Sequence, residues 1–200
     1  MDEPLAAHSL NEVRYYLTAT ICPECGKGPR ALLAPEPDPS AGQICRAVVA
    51  CQNCSSRQEL GFTCEYALAS SGADIERINP TARPSRIIDL GQWLSLFYLL
   101  IETASRCDQP PEVRRLGYRA ALCLGEALKF YGDDELPPEQ AFFHEATRQA
   151  YLDHPESFAR QRLRDMQSKL PKLQTMKCNI NRDERTGNSA RRRWWQFWRQ

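Results

Sequence analysis

The chain has 200 residues, of which 42% are apolar and 26% charged, and these proportions are ordinary for a folded globular protein. The most apolar stretch, residues 93–101, is less than half of the roughly twenty residues that a bilayer span requires. The N-terminal segment 1–12 is acidic and lacks the apolar region of a secretory signal. We therefore expect a cytoplasmic protein that folds as one large domain or two small ones.

The formal net charge of +1 conceals an uneven distribution of charge along the chain. Residues 1–154 contain 14 Lys/Arg and 21 Asp/Glu, whereas residues 155–200 contain 12 Lys/Arg and 4 Asp/Glu. A basic C-terminal portion beside an acidic body predicts one of two arrangements: it binds something anionic, or it folds back on its own body.

The first third of the chain predicts a small antiparallel β unit. Residues 1–11 are expected to be a flexible leader. The β unit spans 12–65, where β-branched and aromatic residues indicate short strands and the prolines of 35–42 indicate an exposed loop. The predicted strands are residues 13–20, 30–34, 43–50 and 57–64.

The remainder predicts a helical domain at 86–171, reached through a connector at 66–85. Apolar residues recur there at three- and four-residue spacing, and proline or acidic residues mark helix starts. The predicted helices are residues 86–106, 108–130, 137–151 and 153–170. Residues 172–200 are expected to be a flexible basic and aromatic tail.

Two C-x-x-C pairs, Cys22 with Cys25 and Cys51 with Cys54, are the strongest chemical signal in the sequence. Zn²⁺ prefers four tetrahedral ligands and accepts thiolates well. Nine cysteines, an odd number, favour metal binding over disulfides in a reducing compartment. The pattern predicts one structural Zn²⁺ ion, since four protein ligands leave no coordination position for a reactive water.

The segment CPECGKG resembles a zinc-ribbon knuckle, with a glycine just after its second ligand. The resemblance covers about residues 13–64 and carries over onto the four cysteines. The second segment, CQNCSSR, lacks the glycine. The resemblance implies a role in nucleic-acid or protein binding. The predicted fold class is therefore α+β, a small zinc-ribbon-like β unit followed by a bundle of about four helices.

The four paired cysteines have two other interpretations besides a zinc site. One alternative is four core thiols that bind no metal, and another is a redox role for Cys22 and Cys25. The presence of two C-x-x-C pairs favours the zinc site over both alternatives. Cys45 and Cys64 lie on the flanking strands, where buried thiols are favoured over additional metal ligands. Three isolated cysteines receive no predicted chemistry: Cys107, Cys123 and Cys178.

No catalytic constellation is apparent in the sequence, so we expect that the protein is not an enzyme and has no small-molecule substrate. The three histidines are His8, His144 and His154. None has the paired spacing of a metalloprotease helix, and neither a phosphate-binding glycine loop nor a nucleophile elbow is present.

The basic C-terminal portion supplies the candidate contacts to an anionic partner. Arg160 and Arg164 lie on the last predicted helix, which could contact phosphates. The tail joins arginines to tryptophans, which suits an anionic membrane surface, single-stranded nucleic acid, a protein groove or the protein's own acidic body. These tail residues are Arg191, Arg192, Arg193, Trp194, Trp195 and Trp198.

These observations predict a non-catalytic adaptor protein whose zinc unit orders its loops and whose helical domain presents the interaction surface. The most favoured partner is another protein, whose identity the sequence leaves open. Two alternatives remain at this point. One is nucleic-acid binding by the ribbon and the basic C-terminal region, and the other is peripheral membrane association through the arginine- and tryptophan-rich tail.

Overall fold

The structure is a computed structural model that describes residues 3–33, 43–66 and 77–170. Within these residues the chain forms a mixed α/β fold with a four-stranded sheet and five α-helices. The elements in chain order are β1 (Leu5–Ala7), α1 (Leu10–Ala19), β2 (Arg30–Leu32), β3 (Ile44–Cys51), β4 (Arg57–Cys64), α2 (Leu90–Ser105), α3 (Pro110–Leu128), α4 (Glu145–Asp153) and α5 (Arg160–Ser168). Short 3₁₀ turns at Glu139–Ala141 and Pro155–Phe158 precede α4 and α5.

The sheet has the strand order β1-β4-β3-β2, in which β1 runs parallel to β4 and the other neighbours are antiparallel. Successive side chains of a strand point to opposite faces. Val49 and Phe62 are therefore buried on the inner face, while Val48 and Glu59, which are paired across β3 and β4, lie on the exposed outer face.

The prediction of a strand at 13–20 is wrong, because residues 10–19 form helix α1. The side chain of Ser9 caps this helix by accepting a hydrogen bond from the Glu12 amide at 3.2 Å. Val13 and Leu17, one turn apart, are fully buried. The helical spacing of these apolar residues and the cap outweigh the strand propensity of the neighbouring tyrosines and threonines.

The expectation of a loose leader at 1–11 is also wrong for the part that the structure describes. Leu5–Ala7 forms β1, which pairs with β4 from Leu5 opposite Phe62 to Ala7 opposite Cys64. Ala7 is 1% exposed. Backbone hydrogen bonds to β4 hold β1 in place. Because β4 lies more than fifty residues later in the chain, local sequence gives no sign of this pairing.

Helices α2 and α3 lie within the ranges that their apolar periodicity predicted. Asp89 and Gln92 form a reciprocal capping box at the start of α2, which fixes its first turn. Trp93 and Phe97 are fully buried. Among the described helices, none has both the length and the apolar composition that crossing a bilayer requires.

The last two predicted helices begin later than expected. Residues 137–144 are not α-helical, because the Asp89 carboxylate accepts hydrogen bonds at 3.1 Å from the amides of Phe143 and His144 and so ties them to the start of α2. Likewise, Pro155–Phe158 is a 3₁₀ turn, and α5 starts only at Arg160.

One apolar cluster extends from the inner face of the sheet through α1 to the helices. Leu17 of α1, Phe62 of β4 and Leu124 of α3 belong to it, and the rings of Tyr15 and Trp93 lie 5.8 Å apart between α1 and α2. The chain thus packs α1 against both the sheet and the helices that follow. The domain boundaries at 12–65 and 86–171 stay a prediction.

Candidate metal centre

The four cysteines of the two C-x-x-C pairs converge at one end of the sheet. Their sulfur atoms all lie within 4.8 Å of one another. The Sγ atoms of Cys22 and Cys54 are 3.8 Å apart, and those of Cys25 and Cys51 are 3.7 Å apart. A regular tetrahedron around Zn²⁺, with Zn–S bonds of about 2.3 Å, has sulfur–sulfur edges of about 3.8 Å. The donor atoms and their spacing therefore fit a tetrahedral thiolate-binding metal ion.

The two turns that carry these sulfurs have the same backbone hydrogen bonds. In each, the amide of the first cysteine donates to the carbonyl five residues later, at 2.5 and 3.0 Å. The carbonyls of Cys22 and Cys51 accept from Gly26 and Ser55, both at 2.9 Å. Gly26 has φ +65° and Ser55 has φ +60°. The second turn therefore forms without a glycine, because a serine adopts the left-handed conformation there.

Strand pairing brings the two turns together. In the antiparallel β2–β3 register, Arg30 lies opposite Cys51. Just before β2, the carbonyl of Pro29 accepts a hydrogen bond from the Gln52 amide at 3.0 Å. These contacts hold the end of the first turn beside the second pair of cysteines. Cys51 is the last residue of β3, one residue beyond the predicted strand at 43–50, whereas Cys22 follows helix α1 and not a strand.

Two polar residues of the second turn contact the sulfurs from outside. Asn53 donates its backbone amide to Cys51 Sγ at 3.4 Å and its side-chain Nδ2 to Cys25 Sγ at 3.5 Å. Ser56 Oγ lies 3.4 Å from Cys22 Sγ and 3.3 Å from Cys54 Sγ. The Asn53 amide groups are donors that stabilise thiolates and orient metal ligands, and the single Ser56 hydroxyl proton can serve one of its two sulfurs at a time. Neither residue is among the predicted site residues, although their positions inside and beside the second C-x-x-C pair were a signal.

Hydrogen bonding favours the ionised form at two of the ligands. The Ser56 hydroxyl is the largest influence that lowers the pKa of Cys22, to about 6. The same hydroxyl lowers the pKa of Cys54 below its usual value. The pKa of Cys25 is raised: the Lys27 amide lowers it, but burial and the neighbouring thiols outweigh that amide. Four thiolates in this space repel one another, so a cation is needed to hold all four ionised.

The centre is open to solvent on one side. Cys22 and Cys51 are buried, Cys25 is half-buried and Cys54 is exposed. The first cysteine of each turn therefore anchors it in the protein, and the second lies nearer to water. Cys54 is the cysteine through which the candidate site is most accessible.

The other cysteines in the described part of the chain lie apart from this centre. Cys64 is fully buried, and burial raises the pKa of its thiol to about 12. Cys45 is half-buried against the core. Neither belongs to the group of sulfurs that could share an ion. Cys123 is buried in α3 and Cys107 is half-buried after α2.

The predicted anionic-partner residues are only partly within the described chain. Arg160 is half-buried at the start of α5, and its amide donates to the Glu135 carbonyl at 2.8 Å. Arg164, one turn later, is exposed. The tail residues Arg191, Arg192, Arg193, Trp194, Trp195 and Trp198, like Cys178, lie outside the described residues.

His8, expected in a loose leader, is 1% exposed and holds three segments together. Its Nδ1 lies 3.0 Å from the Glu65 carboxylate at the end of β4, and its Nε2 lies 3.1 Å from the carbonyl of Pro84. Glu65 also forms ion pairs with Arg83 and Arg86. This network joins the β1–α1 turn to β4 and to the segment that leads into α2.

His144 serves a comparable structural purpose. Its Nδ1 lies 3.0 Å from the carboxylate of Asp89, which is fully buried. The Thr147 hydroxyl donates to the same carboxylate oxygen at 2.6 Å. Gln92 Nε2 lies 3.4 Å from His144 Nε2. These contacts attach the start of α4 to the start of α2.

A scan against protein-family models gives no match for this chain, and searches of curated proteins and of solved structures give none either.

Proposed function

We propose that this chain is a non-catalytic, zinc-binding interaction protein that holds one structural Zn²⁺ ion through Cys22, Cys25, Cys51 and Cys54. The observation that carries the proposal is the pair of sulfur–sulfur separations of 3.7 and 3.8 Å, which match the edge of a zinc tetrathiolate. Four thiolates complete the coordination shell, which supports a structural and not a catalytic ion.

The ion would supply folding free energy by joining two turns that lie far apart in the sequence. The first turn lies between α1 and β2, and the second joins β3 to β4. Metal binding links these turns, so its free energy becomes part of the free energy of folding. Reduced thiolates are required for this binding, which supports the proposal of a cytoplasmic location.

Exposed aliphatic side chains near the zinc unit support binding to another protein. Ile44 is 64% exposed and Val48 is 46% exposed, and both lie on the outer face of β3. Ile21, directly before the first ligand, is 68% exposed. Arg46 lies between Ile44 and Val48 on this face, and exposed aliphatic side chains rimmed by polar residues are typical of a contact surface. We propose this outer face as part of the surface that a partner protein binds.

Elemental analysis of the purified protein tests the metal centre. We expect one zinc per chain, and loss of that zinc in Cys51→Ser. The matched control is Cys45→Ser on the same strand, which should keep its zinc because Cys45 lies outside the sulfur cluster. A metal-free wild-type protein that stays folded in excess chelator would overturn the proposal.

Chemical cross-linking in native cells, followed by mass spectrometry, tests the binding surface. The double variant Ile44→Ser/Val48→Ser should lose the partner cross-links that the wild type forms. The control variant Leu99→Ser changes an exposed leucine on α2 and should keep them. Identical cross-links for all three proteins would contradict a role for the outer face.

A second candidate function is binding to nucleic acid, which the exposed arginines of α5 favour. Arg162 and Arg164 are exposed on a helix whose Leu163 and Met166 are buried against the core. Affinity through phosphate contacts falls steeply with salt. We expect weaker binding of single-stranded RNA by Arg162→Gln/Arg164→Gln; absence of binding by the wild type at low salt removes this candidate. Membrane association through residues 191–199 stays a separate alternative.

A further inference from the structure

Segment 132–157, which we call the acidic segment, combines negative charge with exposed apolar side chains. It contains seven Asp/Glu residues and one arginine. All seven carboxylate residues are exposed: Asp133, Asp134, Glu135, Glu139, Glu145, Asp153 and Glu156. In the same segment, Leu136 is 45% exposed and Leu152 is 58% exposed. Exposed apolar side chains rimmed by polar and charged residues are typical of a binding surface.

A hydrogen bond joins the chain beside Leu136 to the end of helix α4, where Leu152 lies, and we call this place the junction. The Tyr151 hydroxyl, next to Leu152, donates to the carbonyl of Pro137, next to Leu136, at 3.3 Å. At the same junction, the Glu135 side chain caps α5 by accepting the Gln161 amide at 2.9 Å. Helix α4, which ends here, has no buried residue. The junction therefore presents apolar surface and carboxylates together.

We propose that the basic and aromatic segment 191–199 of the same chain docks on the acidic segment. Residues 191–199 contain four arginines, three tryptophans and one phenylalanine. Guanidinium groups pair well with carboxylates, and indole rings bury apolar area with little loss of side-chain entropy. The two segments are complementary in both charge and apolar character. This inference does not depend on the metal centre.

The chain is long enough for this contact. Helix α5 starts at the junction, beside Glu135, and ends at Ser168. Twenty residues, 171–190, connect the last described residue to the docking segment, and they can span up to about 70 Å. A folded body of this size is only about 40 Å across. Because the two segments are tethered, the docking segment is present at an effective concentration in the millimolar range.

Docking would compete with binding of residues 191–199 to an anionic membrane or to RNA, because both use the same arginines and tryptophans. When they contact the acidic segment, they are withheld from an anionic membrane or from RNA. Neutralising the acidic segment should then increase binding to an external anion, because it removes the internal competitor. The docked state is a regulatory contact whose strength falls with ionic strength.

Fluorine NMR of the full-length protein labelled with 5-fluorotryptophan tests the proposal. The chain has four tryptophans, of which Trp93 is fully buried and the other three belong to residues 194–198. Their signals are assigned by comparison with a chain that ends at residue 190. The solvent isotope shift between water and heavy water reports the exposure of each indole. We expect that at least two tail signals have a reduced isotope shift at low salt.

Three variants separate the contact from a general effect of charge. Asp133→Asn/Asp134→Asn/Glu139→Gln removes negative charge, and Leu136→Ser/Leu152→Ser removes apolar surface; both should restore the full isotope shift. Glu24→Gln/Glu59→Gln/Glu102→Gln removes the same charge from exposed positions outside the segment and should leave the shift reduced. Tail signals that are fully exposed in the wild type, or equally affected by all three variants, overturn the proposal.

Two further measurements test whether the docked segment comes from the same chain and whether it competes with a membrane. Isotope shifts that return to full exposure on dilution, together with dimers in sedimentation, would show that a second copy supplies the segment and would overturn the intramolecular contact. Vesicles of phosphatidylserine and phosphatidylcholine provide the competitor. The charge-removal variant should bind them several-fold better than the wild type; equal binding overturns the proposed masking.

Discussion

Gly26 and Ser55 occupy equivalent positions in the two cysteine turns and share one left-handed backbone conformation, with φ +65° and +60°. Each lies four residues after the first cysteine of its pair and donates its amide to that cysteine's carbonyl at 2.9 Å. The left-handed region is strained for a residue with a Cβ atom. The second turn thus forms the same backbone geometry as the first from a less favourable residue.

Replacing Ser55 with glycine should stabilise the folded, zinc-bound protein by about 1 kcal/mol, because glycine adopts positive φ without strain. The midpoint of urea unfolding measures this change. The reciprocal variant Gly26→Ser should destabilise by a similar amount. A Cβ atom at Gly26 meets no atom within 4 Å, so the effect there comes from the backbone alone. A less stable Ser55→Gly would contradict this account.

Removing the hydroxyl of Ser56 should weaken zinc binding by about tenfold, since groups that hydrogen-bond to metal ligands contribute factors of this size. In the folded protein this hydroxyl lies within 3.4 Å of the sulfurs of Cys22 and Cys54. Competition with a chromophoric chelator measures the affinity of Ser56→Ala. The matched control, Ser105→Ala at the end of α2, should bind zinc as the wild type does. Equal affinities for both variants would exclude a role for the hydroxyl.

Glu65→Gln should destabilise the fold by about 1–2 kcal/mol at pH 7, because it weakens the hydrogen bond from His8 and the ion pairs with Arg83 and Arg86. Burial raises the pKa of Glu65, but His8 and the two arginines outweigh it, so the pKa is lowered. A carboxyl whose pKa is lowered on folding stabilises above its unfolded pKa and loses that stabilisation as the pH falls through its folded pKa.

The difference in unfolding free energy between the wild type and Glu65→Gln should therefore shrink when the pH falls below about 4. Chemical denaturation of both proteins at several pH values measures it. Glu59→Gln, which removes an exposed carboxylate of β4 paired with Arg46 at 3.5 Å, should differ little from the wild type. A constant difference across the pH range would contradict the assigned role of the Glu65 charge.

Glu126 should make the protein less stable as the pH rises. Burial raises its pKa to about 7, although Lys129 beside it acts in the opposite direction. Glu12 also raises this pKa and His8 lowers it. Between the unfolded and the folded pKa the native state holds the extra proton, so stability is present at low pH and lost as the pH rises.

Between pH 5 and pH 8, the wild type should lose about 2 kcal/mol relative to Glu126→Gln, which has no proton to release. Urea unfolding of the two proteins at matched pH values measures the difference in unfolding free energy. Contributions from the metal centre and from other titrating groups are the same in both proteins and cancel in this difference. The same pH dependence in both proteins would show that Glu126 does not titrate in this range.

The four cysteines of the candidate metal centre could be predicted from the sequence because the pattern that marks them is local. The x-x spacing places two sulfurs on one turn, and the structure brings Cys22, Cys25, Cys51 and Cys54 together. The helices α2 and α3 were also predictable, since apolar residues repeat along them with the helical period. The later starts of α4 and α5 were not, because the contacts of Asp89 and Glu135 that set them come from distant positions.

The sequence by itself determined the four candidate metal-binding cysteines, the two long helices and the uneven distribution of charge, since each depends on residue type and short-range spacing. Only the tertiary structure decided that residues 10–19 form a helix, that Leu5–Ala7 completes the sheet and that His8 is buried against Glu65. Burial of Val13 and Leu17 and pairing with β4 outweigh weak local propensities. These long-range contacts exist only once the chain is folded.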